Sequence, residues 1–237
     1  MTVTPASWSR WLDDLAARLL TDAERASLAP CEQLRQRLAA STEEIGDVFE
    51  REGGTYRTTV GEESALASAP PVKGLVLYRL VQATRPAIVT ELGTALGVSA
   101  CYLASALRAN GHGLLRTIEG SPSRHAVALR SIADLGLDDW VDARVGLFDE
   151  HLDALDGAAL LFLDGDHHEE PTRRYVDAAV ARMAVPALLA LDDVTAYSAE
   201  MATAWATLEH DARFTAAHVT EGLGCLALGD VEVAAGR

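Results

Sequence analysis

Residues 87–100 read AIVTELGTALGVSA, and the organisation of the chain follows from this stretch. Its first part, IVTEL, predicts a short strand that is buried on both faces, as in a parallel sheet. Gly93 and Gly97 mark a turn at which a side chain would obstruct the backbone or a ligand. The helix predicted from Ser99 directs its free N–H groups at this turn, and such a helix end attracts a carboxylate or a phosphate.

The dinucleotide fingerprint G-x-G-x-x-G is incomplete because Ala95 stands where a middle glycine would help. Taken alone, the stretch also fits an ordinary strand-to-helix turn.

The charge balance limits the partners of the chain. Its formal net charge is −15 over 237 residues, a length that suits one domain with a substantial core. Neither nucleic acid nor an anionic membrane is expected as a partner, because both attract a basic surface. The 20 lysine and arginine residues include a single lysine, Lys73, which draws attention to that position.

The cysteines and the first residues indicate the compartment. Cys31, Cys101 and Cys225 are odd in number and widely separated, so they form neither a disulfide framework nor a zinc-binding pattern. The N-terminal sequence MTVTPASWSRWLDDL lacks the basic-then-apolar pattern of a signal peptide, and no apolar run approaches membrane-spanning length. A cytoplasmic protein is therefore expected.

The first third of the chain predicts an appendage to the main domain. Apolar residues at helical spacing predict that residues 7–52 are all helical, with polar residues before the last helix. Residues 53–69 are polar and contain glycine, which predicts a loop whose Tyr56 and Arg57 either reach a substrate or stay solvated. We expect residues 1–66 to form a helical cap, a lid or a dimerisation arm, and residues 67–237 to form the main domain.

Strands and helices alternate from residue 87 onward, which predicts a doubly wound, mostly parallel sheet with helices on both faces. Two further strand-like runs about Glu221 and Gly222 predict an antiparallel hairpin at one edge and bring the sheet to seven strands. The predicted strands are 87–92, 113–119, 140–145, 158–163, 186–191, 212–219 and 223–228. The predicted helices are 72–83, 99–110, 122–136, 149–155, 171–183 and 197–209.

Acidic residues stand at the carboxyl ends of the predicted strands, where an open α/β sheet binds its ligands. Glu91 ends the first of these strands, and Glu119 ends the second. An acid in the position of Glu119 accepts hydrogen bonds from ribose hydroxyls in dinucleotide-binding folds, and the alternative is a solvated glutamate at the strand end.

A second acidic group predicts a metal site. Asp164 and the pair Asp192 and Asp193 end neighbouring strands, which lie about 4.8 Å apart. Their mutual repulsion would be relieved by a divalent cation with a preference for oxygen, namely magnesium, calcium or manganese. The alternative is that the acids point apart and stay solvated. His167 is the candidate base, with His168 as its rival, because a nearby cation would raise the acidity of a substrate hydroxyl.

These features together resemble the class I S-adenosylmethionine-dependent methyltransferases. More narrowly, they are similar to the cation-dependent O-methyltransferases of the catechol and caffeoyl-CoA type and their natural-product tailoring relatives. The resemblance covers about residues 67–228 and lies in the order and spacing of several motifs. These motifs are ASAPPVKG (67–74), ELGTALGVSA (91–100), TIEGSP (117–122), LFLDGDHHEEP (161–171) and LALDDV (189–194).

The resemblance implies a set of site residues. It places Gly93 and Ser99 at the methionine end of S-adenosyl-L-methionine and Glu119 at the ribose. Glu91 and Asp164 are also implied as cofactor-binding residues. The residues that it implies beside the adenine are Gly146, Leu147 and Phe148. Those that it implies as metal ligands are Asp164, Asp192 and Asp193. His167 falls where many relatives have a basic lysine, a departure that leaves both the base and the substrate class open.

The implied reaction is transfer of a methyl group from the sulfonium of S-adenosylmethionine to a hydroxyl oxygen of a small molecule, with help from the cation. The acceptor is expected among natural products, sugars or catechol-like compounds, and the enzyme is expected to be a homodimer. The alternatives are a cation-independent methyltransferase acting on nitrogen or oxygen, a nicotinamide-dependent oxidoreductase, and a binding protein that has lost the chemistry.

Overall fold

A computed structural model gives the fold of the chain. It describes residues 2–49, 54–195 and 197–234. The helices are α1 (Pro5–Ala17), α2 (Asp22–Ala39), α3 (Val60–Ala67), α4 (Pro71–Thr84), α5 (Val98–Asn110), α6 (Pro122–Asp134), α7 (Glu169–Arg182) and α8 (Ala199–Leu208). The strands are β1 (Glu44–Phe49), β2 (Thr55–Thr59), β3 (Ile88–Leu92), β4 (Leu114–Glu119), β5 (Val141–Val145), β6 (Leu160–Leu163), β7 (Ala187–Leu191), β8 (Ala216–Thr220) and β9 (Leu223–Leu228).

Seven strands form the central sheet in the order β5-β4-β3-β6-β7-β9-β8. The five strands from β3 to β7 are parallel, and β9 runs antiparallel to both β7 and β8. This confirms the predicted doubly wound sheet and its C-terminal hairpin. The chain first builds outward from β3 through β4 to β5 and then returns to place β6 on the other side of β3. The crevice between β3 and β6 is therefore the topological switch point, where folds of this type bind ligands.

The two faces of the sheet carry separate apolar cores. One core joins the sheet to α1, α2, α4, α5 and α6, and the other joins it to α7 and α8. Every residue of β6 (LLFL) and of β7 (ALLAL) is buried, as expected of strands that are covered on both faces. Trp8 and Leu12 of α1 are 1% and 0% exposed within the first core, so the N-terminal helices pack on the main domain. The proposed domain boundary at residue 66 stays a prediction.

The N-terminal segment differs from the prediction after α2. Residues 44–49 form a strand instead of a helix, and β1 pairs antiparallel with β2. The residues Ile45, Val48 and Phe49 have helical spacing, but β-branched and aromatic residues also favour strands, and Gly46 disfavours a helix. A pairing partner in β2 therefore decides the structure. Residues 50–53, which end the predicted helix and begin the predicted loop, lie outside the described residues.

Two other predictions of local structure were wrong. The expected loop over residues 53–69 contains β2 and α3, and α3 begins with a capping box in which Thr59 and Glu62 bond each other's backbone N–H groups. Residues 149–155 were expected to form a helix. They lie instead in two separate 3₁₀ turns, Phe148–Glu150 and Leu152–Leu155, and neither is long enough to form an α-helix.

Candidate active site

A cavity of about 790 Å³ opens at the carboxyl ends of β3, β4, β6 and β7. Backbone hydrogen bonds bring the residues that follow these strands together. The Asp164 N–H donates to the Leu92 carbonyl at 2.9 Å, and the Asp192 N–H donates to the Leu163 carbonyl at 2.9 Å. The acids that the sequence places at separate strand ends therefore meet around one space.

The turn after β3 forms one wall of this cavity. Gly93 has φ +108°, and a Cβ atom there would lie 2.0 Å from the carbonyl oxygen of Asp164. The glycine is thus required by the neighbouring backbone, one of the two causes that the sequence left open. Ala95 occupies left-handed backbone with φ +46°, and its N–H donates to Glu119 Oε2 at 2.8 Å. The turn therefore holds the carboxylate of Glu119 in place.

Glu119 lines the cavity at the end of β4. Its second oxygen, Oε1, accepts the N–H of Ser121 at 2.8 Å, so both oxygens are fixed by backbone donors. Burial raises the pKa of Glu119, and these bonds oppose the rise. Each carboxylate oxygen still has capacity for a further donor, which fits the predicted role of binding ribose hydroxyls.

Glu91 and Ser99 are buried behind the cavity and are not among its lining residues. Burial raises the pKa of Glu91 to about 8, although hydrogen bonds from Thr117 and Ser99 oppose the rise. Among the described residues, Glu91 Oε1 has no hydrogen-bond partner. The predicted contact of these two residues with the cofactor stays a prediction.

The three residues predicted beside the adenine, Gly146, Leu147 and Phe148, all line the cavity. The Phe148 ring packs edge-on against Tyr175, with ring centroids 5.3 Å apart and planes at 74°. Leu147 is 48% exposed, although it is apolar. The arrangement provides an apolar wall that suits a flat aromatic ring.

The sole lysine of the chain lies between the two aspartates that follow β7. Lys73 Nζ donates to Asp192 Oδ1 at 2.5 Å and to Asp193 Oδ1 at 2.7 Å. Burial alone would lower the pKa of Lys73, but its bonds to the two aspartates outweigh burial and raise it. Burial and the neighbouring charge of Asp164 raise the pKa of Asp192.

The fit of these carboxylates to a metal ion is poor as they stand. Asp164, Asp192 and Asp193 all line the cavity, as the sequence predicted. Within the described parts of the chain, however, no three or more His, Cys, Asp and Glu side chains are arranged to hold an ion. The Lys73 ammonium group occupies one oxygen of Asp192 and one of Asp193, two of the three predicted ligands. The predicted divalent cation is therefore not confirmed.

His167 faces the cavity and its rival does not. Its Nε2 lies 3.4 Å from Asp164 Oδ1, and its ring lies 4.7 Å from that of Tyr197. Burial lowers the pKa of His167, but the adjacent Asp164 more than reverses this effect, so the pKa is raised. The His168 side chain is 49% exposed, and His168 is not a lining residue.

The sequence did not predict a second group of residues that line the cavity. The Tyr56 hydroxyl donates to Glu63 Oε2 at 2.8 Å, and Arg124 forms an ion pair with Glu63. Tyr56 was considered as a substrate contact, and it lines the cavity, whereas Arg57 pairs with Glu44 on the surface. Glu63 carried no signal in the sequence, because its burial depends on α3, which was expected to be a loop.

The cavity is strongly acidic. Of the described residues that line it, seven carry carboxylates and three carry permanent cations. Each of the three cations is paired with a carboxylate: Lys73 with Asp192 and Asp193, Arg124 with Glu63, and Arg174 with Asp149. An acidic cavity of this kind attracts a positively charged ligand.

Comparison with known proteins agrees with this geometry. Residues 90–194, from β3 to just after β7, match the family described as "Methyltransferase domain". A catechol O-methyltransferase from Niastella koreensis is 34% identical over 131 residues, which cover 53% of this chain and 57% of that protein. A transmembrane O-methyltransferase from Propithecus coquereli is 41% identical over 91 residues, which cover 38% of this chain and 32% of that protein. The chain therefore spans about a third to somewhat over half of the length of these relatives.

Solved structures give the same fold over the whole chain. An O-methyltransferase from Bacillus cereus in complex with SAH has a TM-score of 0.61, with 18% sequence identity over 97% of this chain and all of the other. Residues 90–194 are therefore similar to a methyltransferase domain, and the solved structure shares the fold of nearly the whole chain. Among the described residues, no helix combines the length and apolar character that crossing a membrane would require.

Proposed function

We propose that the chain transfers a methyl group from S-adenosylmethionine to a hydroxyl oxygen of a small molecule. The observation that carries this proposal is the acidic cavity at the switch point, in which Gly93, Glu119 and His167 line one space. Relatives described as O-methyltransferases support the choice of oxygen as the acceptor atom.

The cofactor would be held by residues at the ends of four strands, β3 to β6. Glu119 binds the ribose hydroxyls, and Gly146 to Phe148 border the adenine. Gly93 and Asp164 would border the methionine portion, and the buried Ser99 and Glu91 would support this end of the site from behind. The fit is supported by the fixed orientation of Glu119, whose two oxygens each accept a backbone N–H at 2.8 Å. When bound, the cofactor supplies an electrophilic methyl group on a positively charged sulfur.

His167 accepts the proton that the acceptor hydroxyl loses as the new C–O bond forms. Its Nε2 faces Asp164 Oδ1 at 3.4 Å, so Nδ1 is the nitrogen that takes the proton. The Asp164 carboxylate then stabilises the resulting imidazolium. The bound cofactor would supply the methyl group, and its sulfur would keep the electron pair of the S–C bond.

The acceptor would lie at the outer part of the cavity, beside exposed apolar side chains. Leu66 is 82% exposed and Tyr197 is 61% exposed, and both line the opening. Apolar surface of this kind suits the body of a hydroxylated small molecule such as a natural product, a sugar derivative or a catechol-like compound. A homodimer and a cytoplasmic location remain predictions, as does the absence of nucleic-acid and membrane partners.

A cation-independent form of the same reaction is the second candidate, and one observation favours it. Lys73 already donates to Asp192 and Asp193, two of the three predicted metal ligands. The divalent cation, whether magnesium, calcium or manganese, therefore stays a prediction that competes with this arrangement.

The test is a methyl-transfer assay with isotopically labelled S-adenosylmethionine and a panel of hydroxylated small molecules, each paired with its amino analogue. We expect labelled methyl ether from at least one hydroxyl compound and none from its amino partner. Transfer to the amino partners alone would contradict an oxygen-directed enzyme. Parallel assays with and without a chelator separate the two forms of the reaction.

A further inference from the structure

The position of Lys73 calls for an explanation beyond surface ion pairing. Lys73 lies in the first turn of α4 and reaches aspartates that are 119 and 120 residues further along the chain. Its side chain is 12% exposed, and that of Asp192 is 8% exposed. Removing one partner from a contact this well shielded from water leaves the other charge uncompensated, which costs much more than breaking an ion pair on the surface.

Within the part of the chain that the structure describes, the ammonium group has one donor left over. It carries three N–H bonds, and two of them are directed at Asp192 Oδ1 and Asp193 Oδ1. Lys73 also lines the cavity with His167, the proposed base. The third N–H is therefore available to an oxygen atom of a molecule bound there.

We propose that Lys73 is the resident cation of the acceptor site: it holds Asp192 and Asp193 in place of a divalent ion and donates a hydrogen bond to the acceptor oxygen. A fixed positive charge beside that oxygen stabilises the negative charge that develops as the proton leaves. The part concerning the acceptor rests on the proposed function. The exclusion of divalent ions does not, because it follows from the contacts of Lys73 alone.

The first test measures manganese binding by calorimetry, with no cofactor or acceptor present. Wild type and Lys73→Arg keep the charge and should bind Mn²⁺ at least about 10-fold more weakly than Lys73→Met, whose aspartates lose their partner. Arg182→Met removes an exposed cation that pairs with Asp156 away from the cavity, and it should behave as wild type. Equal affinities in wild type and Lys73→Met, including no binding by either, would overturn the proposal.

A second measurement needs no substitution, so it stands even where Lys73→Met fails to fold. Because the chain has one lysine, protein labelled with ¹³C-lysine gives NMR signals from Lys73 alone. Paramagnetic Mn²⁺ should leave these signals sharp. Selective broadening at stoichiometric Mn²⁺ would show an ion beside Lys73 and would contradict the proposal.

Measurements of turnover then distinguish the role proposed for Lys73 from the proposed methyl transfer. Once an acceptor is found, a chelator should leave wild-type turnover unchanged, and Lys73→Met should lose at least about 10-fold in turnover while keeping its affinity for S-adenosylmethionine. Wild-type turnover that disappears with the chelator would overturn the role of Lys73. Failure to find any methyl transfer would instead count against the proposed function and would leave the manganese result unaffected.

Discussion

Gly93 and Gly111 both have a positive φ but differ in what surrounds them. Both have positive φ, +108° and +73°. A Cβ on Gly93 would lie 2.0 Å from the Asp164 carbonyl oxygen, whereas one on Gly111 would meet nothing within 4 Å. A glycine is therefore required at position 93 because β3 and β6 approach each other closely at the switch point. At position 111 a glycine is favoured only because the backbone has a positive φ.

Substitution at these two glycines separates the two causes. Gly93→Ala should lower the free energy of unfolding by about 3 kcal/mol, because backbone at the switch point must move to admit the methyl group. Gly111→Ala should cost about 1 kcal/mol, the ordinary penalty of left-handed backbone. Denaturant unfolding measures both, and equal losses would contradict the close approach.

The two adjacent histidines provide a matched test of the base. His167→Ala should lower turnover by about 10²-fold and leave affinity for S-adenosylmethionine intact, because the proton acceptor is lost. His168→Ala removes the same ring from a half-exposed position outside the cavity and should leave turnover within about twofold of wild type. Rate measurements on a methyl acceptor decide between them, and equal effects of the two substitutions would exclude His167 as the base.

The acids of the site could be predicted from the sequence, because parallel strands end at one edge of a sheet. Glu119, Asp164 and Asp192 each follow a short apolar run, and the topology brings them together. The partner of Asp192 could not be predicted, since Lys73 lies 119 residues away and no periodicity relates the two. A long-range contact depends on how α4 packs on the sheet, which local patterns do not encode.

At the scale of elements, a buried ion pair joins the N-terminal helices to the main domain. Arg79 of α4 is 0% exposed, and its Nε donates to Glu24 Oε1 of α2 at 2.8 Å. Its Nη1 also donates to the carbonyl of Leu15 in α1 at 2.5 Å. One side chain therefore holds three helices together.

This ion pair should make the free energy of unfolding depend on pH in the acidic range. Burial alone would raise the pKa of Glu24, but hydrogen bonds from Arg79 and Thr21 and the charge of Arg18 lower it from 4.5 to about 2. A carboxyl whose pKa is lower in the folded state stabilises the fold above pH 4.5, and this contribution is lost as the pH falls toward 2.

The measurement is urea unfolding of wild type and Glu24→Gln at several pH values. At pH 7 the variant should be less stable by about 3 kcal/mol, because Arg79 is left buried without its charged partner. The difference should shrink as the pH falls below 4.5. Glu43→Gln, which breaks an exposed pair with Arg130, serves as the control and should change stability little at any pH. A difference between wild type and Glu24→Gln that is constant with pH would contradict the assignment.

The sequence predicted correctly the elements whose residue pattern fits only one kind of secondary structure. The buried runs of β6 and β7 are too short for helices and are bounded by polar residues. The hairpin β1–β2 was missed because the spacing of Ile45, Val48 and Phe49 fits a helix as well as a strand. Only the pairing with β2, a tertiary contact, separates these two possibilities.

At the scale of the whole molecule, the order of the strands determines where the chemistry takes place. The reversal between β3 and β6 opens the crevice, and the strand ends fill it with carboxylates. The same arrangement would suit a nicotinamide cofactor if the turn after β3 had the full glycine fingerprint. The central claim is therefore that this crevice selects S-adenosylmethionine.

Calorimetric titration of the purified chain with S-adenosylmethionine and with NADH tests this claim most directly. We expect binding of S-adenosylmethionine only, weakened at least about 10-fold by Glu119→Ala, which removes the acceptor for the ribose hydroxyls. Glu209→Ala removes an exposed carboxylate outside the cavity and should bind as wild type. Binding of NADH in place of S-adenosylmethionine, or equal affinity in Glu119→Ala and wild type, would contradict the account.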